Sequence, residues 1–241
     1  MPHPLLLARP TDPFLRLRVE DPERVEAYVI DGDHVALLRR GHRVQETWVS
    51  ALGDDSTRIT GLIEQLRPRG IDGVHVHDHV FADLPAALRG PDPGHWSLWE
   101  FTAGGSQSAV PVAPTVGELA VLSAEDPRID ALLAHSDSAY VRSDDIRVTE
   151  WLGVLDGADL IAVGGRLPGG GNTAHLVSIC THPRVRGRGL AGQVTASLAR
   201  RARETGADGV WLEMYADNST AAAVYRRVGF TEVGRYRSAL L

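Results

Sequence analysis

The residues best suited to chemistry lie in Arg184-Val185-Arg186-Gly187-Arg188-Gly189-Leu190-Ala191. An apolar run from His175 to Thr181 leads into this stretch, and Pro183 ends the run. Behind it, Leu190, Val194, Leu198 and Ala202 recur at helical spacing. The order is strand, glycine-containing loop, helix. Such a loop aims several backbone N–H groups, and the positive end of the helix, at one point outside the chain. Gly187 and Gly189 can adopt positive φ, and neither has a Cβ to hold a ligand away. The fitting occupant is a phosphate or pyrophosphate, with Arg184, Arg186 and Arg188 supplying charge. The pattern is not a P-loop, since no Lys-Ser/Thr follows the second glycine, and the three-glycine dinucleotide fingerprint is incomplete. Two glycines among arginines also describe a basic turn that starts a helix, so the loop alone leaves both readings open.

A second stretch narrows the choice. Residues Asn218 to Phe230 read as an Asn-capped helix that ends at Gly229. Taken together, Arg184/Gly187/Gly189 and Asn218/Ala221/Tyr225/Gly229/Phe230 resemble the two signature motifs of the GNAT superfamily of N-acetyltransferases, in order and at the family's spacing. The resemblance covers residues from about 115 to 241. It implies that acetyl-CoA is the cosubstrate and that the loop from Arg184 to Ala191 holds its pyrophosphate. It further implies that Asn218 and Tyr225 stand at the cofactor, and that Tyr225 is the general acid. Residues 136–148, which include Asp144 and Asp145, match the segment that in the family lies over the substrate. The expected activity is transfer of an acetyl group to a primary amine by direct attack. The alternative is a non-catalytic CoA or acyl-CoA sensor or scaffold.

That chemistry makes specific demands. An amine with a pKa of ~10.4 is mostly protonated at neutral pH and must lose a proton before it attacks. His175, which opens the strand ahead of the loop, has an ordinary pKa of ~6.5 and is one candidate base. Glu213, on the neighbouring strand, is the rival, directly or through water, and ordered water alone is a third option. The oxyanion needs a donor, for which the strand N–H groups of Ile179, Cys180 and Thr181 are candidates. The departing thiolate benefits from a proton, and a tyrosine with pKa ~10 carries one at pH 7.

The elements that must position these residues follow from pattern. A strand is expected over 115–122, then a helix with Asp126 as N-cap and Pro127 in its first turn. A hairpin turns at Asp156-Gly157, and the glycines 169–171 read as a second hairpin tip. Arg200, Arg201 and Arg203 sit in the last turn of the loop's helix, where cations complement its dipole.

The chain also repeats itself. The hairpin over 25–38, with Asp31-Gly32, matches that over 150–163, and Arg69–Val74 matches Thr205–Val210. The expected fold is α/β (α+β): two GNAT-like mixed sheets flanked by helices, in tandem, with domains at 1–108 and 109–241. A Gly-, Ser- and Pro-containing linker at 104–114 separates them. The leading half is degenerate. Its positions equivalent to Arg186, Gly187, Arg188, Asn218 and Tyr225 are Ser50, Ala51, Leu52, Ala82 and Arg89, and Asp54 and Asp55 stand where phosphate would rest. That half is expected not to hold CoA.

Composition sets the remaining bounds. The formal net charge is −6, hydrophobic residues make up 43%, and there is one cysteine, Cys180. A single thiol excludes an intrachain disulfide and suits a reducing compartment. No apolar run reaches membrane-spanning length, and Leu5-Leu6-Leu7 is too short for a signal-peptide core. The expected location is cytoplasmic, as a monomer or homodimer. With no long basic face, nucleic acid and membrane are not expected partners, and the partner is a small-molecule or peptide amine. His75, His77 and His79 alternate along a strand, but without an accompanying Cys or carboxylate signature no metal is expected.

Overall fold

A computed structural model describes residues 3–18, 25–40, 46–102 and 117–241. The elements run α1 (Pro4–Ala8), α2 (Pro13–Arg18), β1 (Val25–Asp31), β2 (His34–Arg40), β3 (Thr47–Leu52), α3 (Ser56–Leu66), β4 (Gly73–His77), α4 (Asp78–Phe81) and β5 (Gly94–Phe101). They continue with β6 (Glu118–Leu122), α5 (Pro127–Leu133), β7 (Glu150–Asp156), β8 (Asp159–Pro168), β9 (Thr173–Thr181), α6 (Leu190–Glu204), β10 (Gly209–Tyr215), α7 (Ser219–Val228) and β11 (Phe230–Leu240). The proposed linker at 104–114 lies outside the described residues.

The chain divides into two compact units, one of 1–98 with 215–217 and 233–241, the other of 99–214 with 218–232. In the first, β1 and β2 pair antiparallel around Gly32, whose φ of +63° the tight turn requires. β3 adds antiparallel to β2, and α3 crosses over to place β4 parallel to β3. The apolar face of α3, Ile59, Leu62, Ile63 and Leu66, is buried against Ala36, Leu38, Val49, Ala51, Val74 and Val76. Each large side chain so buried stabilises by roughly 1.5–3 kcal/mol. The last strand, β11, pairs antiparallel with β4 from Tyr236 opposite His77 to Leu240 opposite Gly73.

The second unit has the same order of parts. β7 and β8 form a hairpin at Asp156-Gly157, β9 adds antiparallel to β8, and α6 crosses over to β10, which lies parallel to β9. Asp126 caps α5 by accepting from the Arg128 N–H, with Pro127 at the first turn. The Gly169–Gly171 stretch closes the β8–β9 turn, where Gly169 N–H donates to the Thr173 carbonyl. Leu190, Val194, Leu198 and Ala202 of α6 pack with Val210 and Leu212 of β10 and with Ala222, Tyr225 and Val228 of α7.

The expectation of two separate sheets is corrected. All eleven strands belong to one sheet, in the order β1-β2-β3-β4-β11-β5-β10-β9-β8-β7-β6. Within the first unit, pairing with β11 covers the edge of β4, which would otherwise present unpaired N–H and C=O groups.

Candidate active site

The site is built in the second unit, where β9 meets α6. After Thr181 the chain makes a 3-10 turn over Pro183–Val185, with the His182 ring accepting from the Arg184 N–H at 3.3 Å. Gly187 and Gly189 follow, both left-handed at φ +79° and +81°. An L side chain is strained there. At Gly187 nothing lies within 4 Å of where a Cβ would stand, so that surface is open to a ligand. Gly189 is the N-cap of α6 and offers no side chain to it. The first-turn N–H groups, at the positive end of a 15-residue helix, therefore receive no capping bond from the N-cap side chain.

The three arginines differ. Arg184 is paired with Asp159 at 2.5 Å, and this guanidinium holds the Asp159 carboxyl below its usual range. Arg186 donates to the Thr181 and His135 carbonyls at 3.3 and 3.2 Å, which fixes the loop's start. Arg188 is exposed and has no side-chain partner among the described residues. The arginines at the far end of α6 are occupied: Arg200 by Glu204, Arg201 by Glu150, and Arg203 by the Ala207 carbonyl.

Upstream, β9 carries a distortion that sequence reasoning missed. Val163 faces Cys180 and Gly165 faces Val177, so Gly164 of β8 opposes both Ser178 and Ile179. This is a β-bulge. Ser178 has φ +52°, the sole positive value for a non-glycine among the described residues. Its Oγ donates to the Val141 carbonyl at 2.7 Å, tying the bulge to the segment over 136–148. That segment forms neither helix nor strand, and it exposes Tyr140 and Ile146. On the other edge, the parallel ladder of β9 with β10 runs from Thr173–Gly209 to Leu176–Leu212 and stops. Beyond it, Val177 to Thr181 and Glu213 onward are no longer paired with each other. The Gly164-Gly165 pair inside a strand was the available signal.

The other named residues lie on β9, in α6, and in or at the cap of α7. Ile179 and Thr181 are half-buried on the bulged end of β9. Cys180 is buried, its Sγ donating to the Leu132 carbonyl at 3.4 Å, and burial pushes its thiol pKa up. It reads as an inert core thiol. Leu190 is buried in the core, while Ala191 is half-buried in the first turn of α6. Asn218 caps α7, its side-chain carbonyl accepting from the Ala221 N–H at 3.0 Å. Tyr225 is buried in the α6–α7 core, and burial raises its pKa to about 12.

Alternation places the two candidate bases on the other face of the sheet. Leu176, Val210 and Leu212 turn to the α6–α7 core. His175 and Trp211 instead stack on each other with ring centroids 3.7 Å apart, and Glu213 follows on the Trp211 face. His175 is buried inside the paired section, six residues and roughly 20 Å of strand from Thr181. Glu213 is half-buried and is the first residue of β10 past the ladder.

In the first unit the three histidines do not share a strand, which corrects that expectation. β4 ends at His77, and His79 belongs to α4. His75 is half-buried, stacked on Trp48 at 4.4 Å, with Nδ1 2.6 Å from Ser238 Oγ.

Residues 120–230 match the Acetyltransferase (GNAT) family profile. No curated protein matches the sequence. Among solved structures, one from Novosphingobium aromaticivorans assigned to the GNAT family is 20% identical, with a TM-score of 0.56 over 90% of each chain. The GCN5-related N-acetyltransferase from Kribbella flavida is 17% identical, with a TM-score of 0.60 over 90% of this chain and 89% of its own. A Drosophila protein is 21% identical, with a TM-score of 0.61 over 86% of this chain and 74% of its own. These likenesses are of fold, and they span both units. Residues 120–230 form an acetyltransferase (GNAT) family domain, and that domain is what supports reading the protein as an acyltransferase enzyme.

Proposed function

We propose that the protein transfers an acetyl group from acetyl-CoA to a primary amine by direct attack. The observation that carries this reading is the left-handed Gly187–Gly189 pair at the N-terminus of α6, where the N-cap supplies no side chain, following the end of β9 that has left the β10 ladder. The open Cβ position at Gly187 and the unpartnered Arg188 fit a pyrophosphate. Arg184, held by Asp159, contributes to the loop's shape more than to the ligand's charge. Loop binding far from the reacting atoms positions the thioester, which is where much of the rate comes from.

Around the reacting carbonyl each residue has a stated task. Within Ile179 to Thr181, past the end of the β10 ladder, the N–H groups that β8 does not take are the donors to the developing oxyanion. Tyr225, on the α6–α7 face, keeps its proton at neutral pH and donates a hydrogen bond to the leaving thiolate. With a pKa near 12 it stabilises that thiolate better than it fully protonates it, since a thiol titrates at about 8.5. Glu213, on the opposite face and past the ladder, takes the amine proton directly or through water. His175 remains the second candidate base, but its stack on Trp211 inside the ladder favours Glu213. An acid on one face of the sheet and a base on the other suits a thioester lying between diverged strands.

We also propose that the chain is a tandem of two acetyltransferase-like halves, meeting in sequence at 108–109, with the leading half unable to hold CoA. Both units share the order of hairpin, third strand, crossover helix and parallel strand. In the leading one, the Asp55 carboxylate caps α3 by accepting from the Thr57 and Arg58 N–H groups, occupying the place a phosphate would need. No helix of the described residues is long and apolar enough to cross a membrane. The lone buried thiol fits a reducing, cytoplasmic setting.

Release of free thiol from acetyl-CoA over a panel of amines tests the activity, with calorimetry of CoA binding beside it. Gly187→Glu adds a side chain at positive φ and a negative charge at the loop, and it is expected to abolish CoA binding in a folded protein. Unchanged affinity would overturn the pyrophosphate assignment, and tight CoA binding without turnover of any amine would select the sensor reading.

A further inference from the structure

The first unit contains a cavity of about 710 Å³ bordered by Arg9, Asp12, Asp33, Asp54, His77 and His79. Three of these come together from different elements. Asp54 follows β3 in the turn that leads to α3, His77 ends β4, and His79 lies in the single turn of α4. β3 and β4 are parallel neighbours, so their carboxyl ends converge, the place where α/β sheets gather ligands. One donor atom from each of Asp54, His77 and His79 lies within 4.8 Å of the others.

We propose that Asp54, His77 and His79 form a three-ligand site for a divalent transition ion, with a fourth position open to the cavity. Two imidazoles and one carboxylate suit zinc or cobalt, and not magnesium or calcium, which take oxygen ligands. Ligand bonds of 2.0–2.1 Å in a tetrahedron need donor atoms about 3.3 Å apart. His79 Nε2 and Asp54 Oδ1 are already 3.0 Å apart. Their side chains are 58% and 73% exposed, so they can rotate toward His77 without repacking any core.

A second layer is present. Asp12 is buried, and its Oδ1 accepts from the Phe14 and Leu15 N–H groups, which fixes the carboxylate in place. Its Oδ2 accepts from Arg9 Nε at 2.9 Å and stands 4.0 Å from His77 Nε2, beyond hydrogen-bond reach, where its charge favours a cationic or metal-bound imidazole. Asp78, between the two histidines, is turned away to Arg237 at 2.7 Å and does not compete for the ion. The proposal is independent of the acyl-transfer reading, which concerns the other unit.

The test uses the full chain, stripped with EDTA and titrated with Zn²⁺ by calorimetry and with Co²⁺ by visible absorption. One ion per chain is expected, with Co²⁺ bands of a four-coordinate site, and Mg²⁺ should not compete. His79→Ala and Asp54→Ala, both at exposed side chains, should keep the fold by circular dichroism and lower affinity about 10–100-fold or more. Asp54→Asn serves if either alanine variant fails to fold. Absence of stoichiometric Zn²⁺ binding, or wild-type affinity in the folded variants, would overturn the site.

Discussion

At the scale of single residues, Tyr225 carries the most specific expectation. Tyr225→Phe keeps the ring in the α6–α7 core and removes only the phenolic proton, so CoA affinity should hold while kcat falls ~10²–10⁴-fold. The same substitution has a signature in stability. The folded state holds the Tyr225 proton to about pH 12, whereas the unfolded chain releases it near 10.0. Between those values unfolding releases a proton, so stability falls as pH rises, by about 3 kcal/mol across the window. Tyr225→Phe should lack that fall, and denaturation curves of the two proteins at pH 9 and pH 11.5 would show it. Identical pH dependence would mean that the phenol is not desolvated. The base separates by the same logic: Glu213→Gln should lower kcat/KM most at neutral pH and less at high pH, where the amine is already free. If His175→Ala does this and Glu213→Gln does not, the roles are reversed.

At the scale of elements, what was legible depended on whether the signal was local. The α6 face, the Asp126 and Asn218 caps and the Asp-Gly hairpins are set by residues a few positions apart, and each stands where spacing placed it. The roles of the arginines were less legible, because Arg184 finds Asp159 from another turn and nothing near Arg184 announces it. The bulge at Ser178 is likewise a property of two strands. Its cause on β8 is Gly164, where a Cβ would come within 2.4 Å of Ile179 Cδ1, 2.9 Å of Val194 Cγ1 and 3.0 Å of Leu198 Cδ1. Gly164→Ala must therefore push Ile179 or the α6 core, at a cost of about 1–3 kcal/mol. Because Ile179 lies in the bulge beside the proposed oxyanion donors, kcat should drop as well. Chemical denaturation and steady-state rates on the one variant check both, and a rise in stability with full activity would show that the glycine does not shape the bulge.

At the scale of the whole molecule, the order of residues along the chain and the order of strands in space part company. Periodicity marks β11 as a strand but says nothing of its neighbour, so placing it beside β4 was beyond the sequence. The consequence is that residues 233–241 complete the first compact unit although they end the chain. Tyr236 is buried there, stacked on Trp96 at 4.6 Å and tilted against Phe14 at 5.3 Å, and Ala239 lies in the core with α3's partners. The Leu241 N–H donates to the Asp72 carbonyl at the strand's far end. Removing an aromatic ring so enclosed costs about 3–5 kcal/mol, which is a large share of a unit's stability of roughly 5–15 kcal/mol. Tyr236→Ala should therefore lower the unfolding transition of the first unit selectively, and deleting 233–241 should abolish it. Hydrogen exchange reads this directly: amides of β4 should lose protection in both variants, while those of α6 keep theirs. Equal loss in α6 would mean that the two units unfold as one, and unchanged protection in β4 would remove β11 from that place in the sheet.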